Sequence, residues 1–379
     1  MSKLNISRLT NENEDGAPKI TGISTFSSTA FFDPPKGTTA QRPEFVQPGM
    51  IRFNTDGAHL EYYNGVEWTE VLVANNTLDG GNRGLFGGGF IYTAPATYAN
   101  SNVIDYITIS TLSNAIDFGD LQSATRGPGG CASSTRGLFG GGGEPGINVI
   151  DFITISSTGN GSDFGDLTQA RGYVSSLSSQ TRGIWSSGQT GPNTSTTSNT
   201  IDYVTIASNG VNAQDFGDLQ NIVGGSGACS SSTRGIIAGG EGPGDVKINV
   251  ISFITISTTG NASDFGDMSR TVAYFGACSN STRGLFAGGS PSISNTIEYV
   301  TIATTGNSQD FGDLTASKNS NAGCASPTRG IFAGGQSPLG INVIEYVTIL
   351  TTGNALDFGD LSTVNRFYVG ALSNGHGGL

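Results

Sequence analysis

Apolar positions along the chain fall into short bursts separated by Gly, Ser, Thr and Asn. One kind of burst is small and glycine-rich, as in Arg283-Gly-Leu-Phe-Ala287, ended by Gly288-Gly289. The other is a Val, Ile, Tyr and Thr run, as in Asn148-Val-Ile-Asp-Phe-Ile-Thr-Ile155, seen again at Asn249 and Asn342. β-Branched and aromatic residues suit a pleated, half-buried surface. Two further signals keep step with the bursts. Asp-Phe-Gly-Asp recurs at Asp117, Asp163, Asp215, Asp264, Asp310 and Asp357, at intervals of 46, 52, 49, 46 and 47 residues. Arg-Gly recurs at Arg83, Arg136, Arg182, Arg234, Arg283 and Arg329.

Each copy therefore predicts four short strands. Strand A is small and apolar (Gly276-Ala-Cys-Ser279), B is the Arg-Gly burst, C the β-branched run and D the Asp-Phe-Gly-Asp-Leu piece. Thr-Gly-Asn joins C to D in most copies, a turn signal because Gly and Asn tolerate positive φ. Four strands in a period near 50 predict the blade of a β-propeller, here six blades over residues 80–379. The first copy begins at strand B, and Gly370-Ala-Leu-Ser373 at the other end reads as an orphan strand A. Their pairing would close a ring and remove an exposed edge.

The order of apolar strand, Gly-Gly, acid with Tyr, aromatic and Arg resembles the kelch repeat. In the sixth copy these are Gly334-Gly335, Glu345-Tyr346, Phe358 and Arg366, with Phe where kelch repeats usually carry Trp. The resemblance implies the fold and says little of function, since propellers host many.

Composition narrows the class. With 58 Gly among 379 residues and 13% charged residues, the chain opposes a helical protein and reads as turn-rich all-β. A net charge of −12 argues against binding nucleic acid, which calls for a basic face. No apolar run approaches the ~18 residues of a membrane span. The opening MSKLNISRLTNENEDG does not read as a secretory signal. Charges after residue 80 sit at repeat positions, so they read as structural, paired with turns and neighbouring Arg.

No catalytic, cofactor or metal residues emerge, and the expectation is that the protein is not an enzyme. Asp-Phe-Gly has no catalytic loop beside it, and Gly140–Gly143 lacks the Lys of a phosphate loop. Cys131, Cys229, Cys278 and Cys324 share a repeat position with Leu177 and Leu372, which reads as a buried apolar site. Trp185 stands where other copies have Phe, and reads as core. His376 has no pattern around it that would make it a base.

Before residue 80 the chain changes character. Residues 1–35 read as an extended arm and 36–79 as a small β module. In the latter, Arg52–Asp56 and Leu60–Tyr63 alternate like a hairpin and Asn64-Gly65 marks a turn before Trp68. Over residues 37–68 the pattern Gly-Thr-Thr-x-x-Arg-Pro, Gly-Met-Ile-Arg-Phe-Asn-Thr-Asp, Leu-Glu-x-Tyr-x-Gly and Trp resembles a module of bacteriophage tail fibres and other virion appendages. Ile20-Thr-Gly-Ile-Ser-Thr25 and Ser27–Ala30 are similar to leaders of cyanophage virion proteins. The resemblance implies a non-enzymatic virion protein (tail fibre, tail or capsid decoration), assembled in the bacterial cytoplasm and residing in the virion. Residues 1–79 would attach it to other virion proteins through Phe31, Phe32, Phe45 and Phe53, with a homotrimer as the expected assembly. The propeller would recognise a host-surface glycan or protein. The B–C loops vary most, and the first carries Phe90, Tyr92 and Tyr98, aromatics that suit saccharide stacking or protein contact; the leading alternative is that Phe90 and Tyr92 simply cap the first blade against the N-terminal module. The competing readings are a glycan-processing propeller enzyme and a kelch-type adaptor.

Overall fold

The computed structural model describes residues 34–57, 59–70, 82–93, 97–191, 196–208, 210–363 and 365–379. The chain divides into two compact units, Met1–Asn75 and Asn76–Leu379. The described residues of both are all-β and contain no α-helix.

In the smaller unit, Lys36–Gly37, Ile51–Asn54, His59–Tyr63 and Trp68–Glu70 form one sheet in that order, the first pair parallel. Asn64 shapes the last turn, its Oδ1 accepting the N–H groups of Val66 and Glu67. The centre of the unit is polar. Glu61 is fully buried, with Arg42 Nη2 at 2.6 Å, Arg52 Nη1 at 3.3 Å and Asn54 Nδ2 at 3.2 Å. A hydrogen bond from Arg42 holds the Glu61 carboxyl below its ordinary range.

The larger unit repeats one antiparallel four-stranded sheet. In the second copy the strands are Gly129–Ala132, Arg136–Gly140, Ile147–Thr154 and Ser162–Arg171, paired in chain order. Four further copies follow, and their strands A are Ser175–Ser178, Gly227–Ser230, Gly276–Ser279 and Ala322–Ala325. In the first copy, Arg83–Gly87, Thr97–Thr108 and Ile116–Thr125 supply B, C and D, while Gly370–Ser373 pairs with Arg83–Gly87 as A. Each strand A lies beside the A strands of the copies before and after it, and that of the sixth lies beside Gly370–Ser373. The arrangement is consistent with a β-propeller.

Two details differ from expectation. In four copies strand D is ten residues long, pairing well beyond the Asp-Phe-Gly-Asp-Leu piece. The first B–C loop is itself a hairpin, Phe90–Thr93 against the start of Thr97–Thr108, because its alternating aromatic and β-branched residues can pair.

The repeated residues hold neighbouring sheets together. Asp-Phe-Gly-Asp is a bulge: Asp105 faces Asp117 and Ile104 faces Gly119, leaving Phe118 as the extra residue. Phe118 is buried. The Gly that follows, such as Gly217 at φ +145°, would bring a Cβ within 2.5 Å of Gly260 in the next C–D turn. There the N–H of each second Asp donates to the turn Asn of the next copy at 3.0–3.1 Å, Asp120 to Asn160 through to Asp360 to Asn114 of the first. The Arg of Arg-Gly stacks on the strand C ring of its own copy at 4.5–4.9 Å. Its Nη1 reaches a carbonyl of a neighbouring copy: Arg83 to Ile155, and Arg329 of the sixth copy to Ile109 of the first at 3.0 Å. The Gly after that Arg makes room for the strand A Cys or Leu of an adjacent copy. A Cβ on Gly284 would stand 2.5 Å from Cys229 Sγ, and one on Gly84 2.7 Å from Cys324 Sγ. The four Cys are buried and free, and burial pushes the Cys131 and Cys229 thiols up to about 12.

Three strand C acids pair with a cation at the end of the preceding strand D or just beyond it. Arg171 meets Asp202 at 2.6 Å, Arg366 meets Asp105 at 2.7 Å, and Lys318 meets Glu345, all six side chains fully buried. In the fourth copy Ser252 replaces the acid, and the facing position is Val223. Thr125 holds the place of Arg171 one copy earlier, and Asp151 takes its hydrogen bonds from Gln122 instead. The expected pairing of repeat charges thus rests on strand C, while the Asp-Phe-Gly-Asp motif acts through its backbone.

Candidate functional site

The B–C loops and the D–A connections lie at the same end of the sheets, because strands alternate in direction. One position in the D–A connection has left-handed backbone in every copy: Gly127, Tyr173, Gly225, Tyr274, Ser320 and Tyr368, with φ between +52° and +64°. The backbones are bonded in series, the N–H of Tyr274 to Gly225 O, Ser320 to Tyr274 O, Tyr368 to Ser320 O and Gly127 to Tyr368 O. Bulky side chains are rare in this conformation, which costs about 1–3 kcal/mol per non-glycine residue. The three tyrosines meet edge to face, with centroids 4.8, 5.7 and 5.8 Å apart. Size decides the alternation: a Cβ on Gly225 would stand 2.6 Å from the Tyr274 ring, and one on Gly127 2.9 Å from that of Tyr173.

From this triad an aromatic track runs outward through Tyr368, Phe367, Phe90, Tyr98 and Tyr92. Phe367 lies 5.3 Å from Tyr368 and 5.5 Å from Phe90; Phe90 stacks on Tyr98 at 5.4 Å, and Tyr98 reaches Tyr92 at 5.1 Å. Pairing of Arg366–Phe367 with Phe90–Thr93 holds the track in place. Tyr98 is half exposed, and Phe90 and Tyr92 are partly buried. Phe90, Tyr92 and Tyr98, singled out from sequence, therefore form the outer end of a larger feature. Arg126 lies 4.3 Å over Phe90 and pairs with Glu144, which accepts the Tyr173 hydroxyl at 3.0 Å. Gln189 Nε2 donates to the Tyr274 hydroxyl at 2.9 Å, and Lys247 pairs with Glu241 at 2.5 Å. Burial above all raises the Tyr173, Tyr274 and Tyr368 hydroxyl pKa values, so all three are neutral hydrogen-bonding groups.

Beneath the triad is a basin of about 80 Å³, whose wall includes Ser226, Ser320 and Asn321. Asn321 is 6% exposed, and neither its Oδ1 nor its Nδ2 has a hydrogen-bond partner. Among the A strands a further cavity of about 50 Å³ is bordered by His376. His376 Nε2 lies 2.9 Å from Ala132 O and Nδ1 accepts the Gly378 N–H at 3.0 Å, the arrangement of a neutral ring. Burial lowers its pKa to about 4.

Sequence reading missed the three tyrosines of the triad and Asn321. The available signal was a comparison of one position across copies, two residues before strand A, where Tyr alternates with Gly or Ser. Of the residues singled out for attachment, Phe45 is 89% exposed and Phe53 partly buried; Phe31 and Phe32 lie outside the described residues. Among the described residues, no group of three or more His, Cys, Asp and Glu could hold a metal, and no helix is long and apolar enough to cross a membrane. No family model matches the chain, and no curated protein matches it either.

Proposed function

We propose that this is a non-enzymatic phage virion protein: residues 80–379 form a closed six-bladed, kelch-like β-propeller, and the N-terminal unit attaches it to the particle. Ring closure is supported by a repeated step. Each repeated link between neighbouring copies has a counterpart joining the sixth copy to the first, from Arg329 to Ile109 and from Asp360 to Asn114. The virion assignment is supported by the tail-fibre-like pattern over residues 37–68. Phe45, Ile51 and Phe53 in that unit offer apolar surface for another virion protein or for two further copies of this chain. The loop face, with its variable B–C segments and aromatic track, is then the surface turned to the host.

Mass spectrometry of purified virions, with immunogold labelling, tests the assignment. The expected result is the protein in the particle and gold at one site on it. Its absence from particles overturns the virion role. Light scattering of the full chain tests the assembly, a trimer being expected and a monomer opposing it.

A further inference from the structure

We propose that the loop face binds an uncharged oligosaccharide, resting on the half-exposed Tyr98 at its outer end and on the partly buried tyrosine triad at its inner end, where Asn321 hydrogen-bonds it. This rests on the host-recognition reading above and gives that surface a ligand class. Three independent observations carry it.

The first is strain. Glycine occupies two of the six left-handed positions without cost, yet Tyr173, Tyr274 and Tyr368 hold the same backbone with bulky side chains. Residues kept in a costly conformation by their surroundings cluster at ligand sites. The second is the orphaned amide. Asn321 is more than nine-tenths buried, lines the basin beneath the triad and has both side-chain polar atoms unpartnered. An amide in that state costs about 1–3 kcal/mol, which a hydroxyl group able to donate and accept would relieve.

The third is charge. Arg126 is paired with Glu144 and Lys247 with Glu241, and the cations behind the face are paired as well, Arg171 with Asp202 and Arg366 with Asp105. What the face offers is the half-exposed Tyr98 ring and the partly buried rings of Tyr92, Tyr173, Tyr274 and Tyr368, while Phe367 is buried and Phe90 lies between Tyr98 and Arg126. Aromatic rings pack against the C–H faces of sugars while hydroxyls and amides meet the sugar oxygens. The balanced charges give no preference to an acidic polysaccharide, and the basin is too small for a folded protein segment. It admits no more than one protruding hydroxyl or hydroxymethyl group.

The test is binding of neutral oligosaccharides to the full-length protein. Saturation-transfer NMR would be run with maltohexaose, cellohexaose, mannohexaose and the neutral O-polysaccharide of the host, followed by titration calorimetry on any that respond. At least one should bind, and Tyr98→Ala, on the exposed outer end, should weaken it at least tenfold without changing Tm. Asn321→Ala should weaken it similarly. Tyr173→Gly removes a ring of the triad and relieves its backbone, so it should fold and still lose affinity. Failure of every probe to bind overturns the proposal, as does binding that is unchanged in Tyr98→Ala and Asn321→Ala. Response only to a host surface protein presented in parallel overturns it in favour of a protein ligand. These outcomes are separate from virion incorporation, which can fail or succeed whatever the saccharide result.

Discussion

At the scale of single residues, the molecule contains its own double substitution. Arg171 and Asp202 form a fully buried pair between copies, while Val223 and Ser252 occupy the equivalent places one copy on. Removing one member of a buried pair leaves an uncompensated charge, whereas replacing both is often neutral. Arg171→Val alone should therefore cost about 3–5 kcal/mol, and Arg171→Val with Asp202→Ser no more than ~1 kcal/mol. Urea unfolding of the two singles and the double measures this, and equal losses in the single and the double would remove the argument. His376 gives a pH dependence of definite sign. Its folded pKa of about 4 lies below the ordinary 6.5, so the folded state favours the neutral ring. The stability it gives is complete above pH 6.5 and is lost as the pH falls through about 4. Asp151 works in the opposite sense. Burial raises its pKa, so its cost is present at neutral pH and disappears on acidification through the folded value. The two are separated by His376→Gln, which should remove the loss on acidification and leave the Asp151 gain, read from unfolding midpoints between pH 7 and pH 4.

At the scale of the strand and its neighbours, the repeat reads as a set of interlocking small and large residues. Gly284 is glycine because Cys229 Sγ fills the place of a Cβ. Gly284→Ala should cost about 1–3 kcal/mol by overpacking, and Cys229→Ala in the same chain should recover most of it. Thermal melts of both singles and the double provide the cycle, and additive losses would show that the two side chains do not compete for space. The repeat itself was legible because apolar bursts, Arg-Gly and Asp-Phe-Gly-Asp keep one period, and that period is set by local strand chemistry. The pairing of Gly370–Ser373 with Arg83–Gly87 was legible too, from a missing strand at one end and a spare one at the other. Other features were not. That Phe118 is the bulged residue depends on register across two strands, and nothing in the local run Ile-Asp-Phe-Gly-Asp reports it. The role of Asn160 likewise depends on which carbonyls and N–H groups the next sheet brings within reach. The outer half of the candidate site was visible because Phe90, Tyr92 and Tyr98 are close in sequence. Its inner half was not, because Tyr173, Tyr274 and Tyr368 come from three separate copies and meet only when the sheets are arranged around them.

At the scale of the whole molecule, closure predicts that every interface between neighbouring copies is equivalent, the seam between the sixth and the first included. Arg283 and Arg329 allow a direct comparison. Arg283 stacks on Tyr299 at 4.5 Å and donates to Ile349 O at 3.1 Å; Arg329 stacks on Tyr346 at 4.8 Å and donates to Ile109 O, across the seam, at 3.0 Å. The stacking is worth about 0.5–1 kcal/mol and the charged hydrogen bond about 1.5–3 kcal/mol, in either place. Arg283→Met and Arg329→Met should therefore lose the same stability to within about 0.5 kcal/mol, since these are distant and independent sites. If the seam were open in solution, Ile109 O would bond to water and Arg329→Met would lose only the stacking share. Deleting residues 366–379 extends the comparison. It removes the partner of the Arg83–Gly87 strand and the cation that faces Asp105, leaving an unpaired edge of the kind that templates association. The truncated chain should melt at a lower temperature and scatter light as an aggregate at concentrations where the full chain does not. A truncated chain that keeps both the melting temperature and the scattering of the intact protein would show that the seam contributes nothing, and the equivalence of the six interfaces would fall with it.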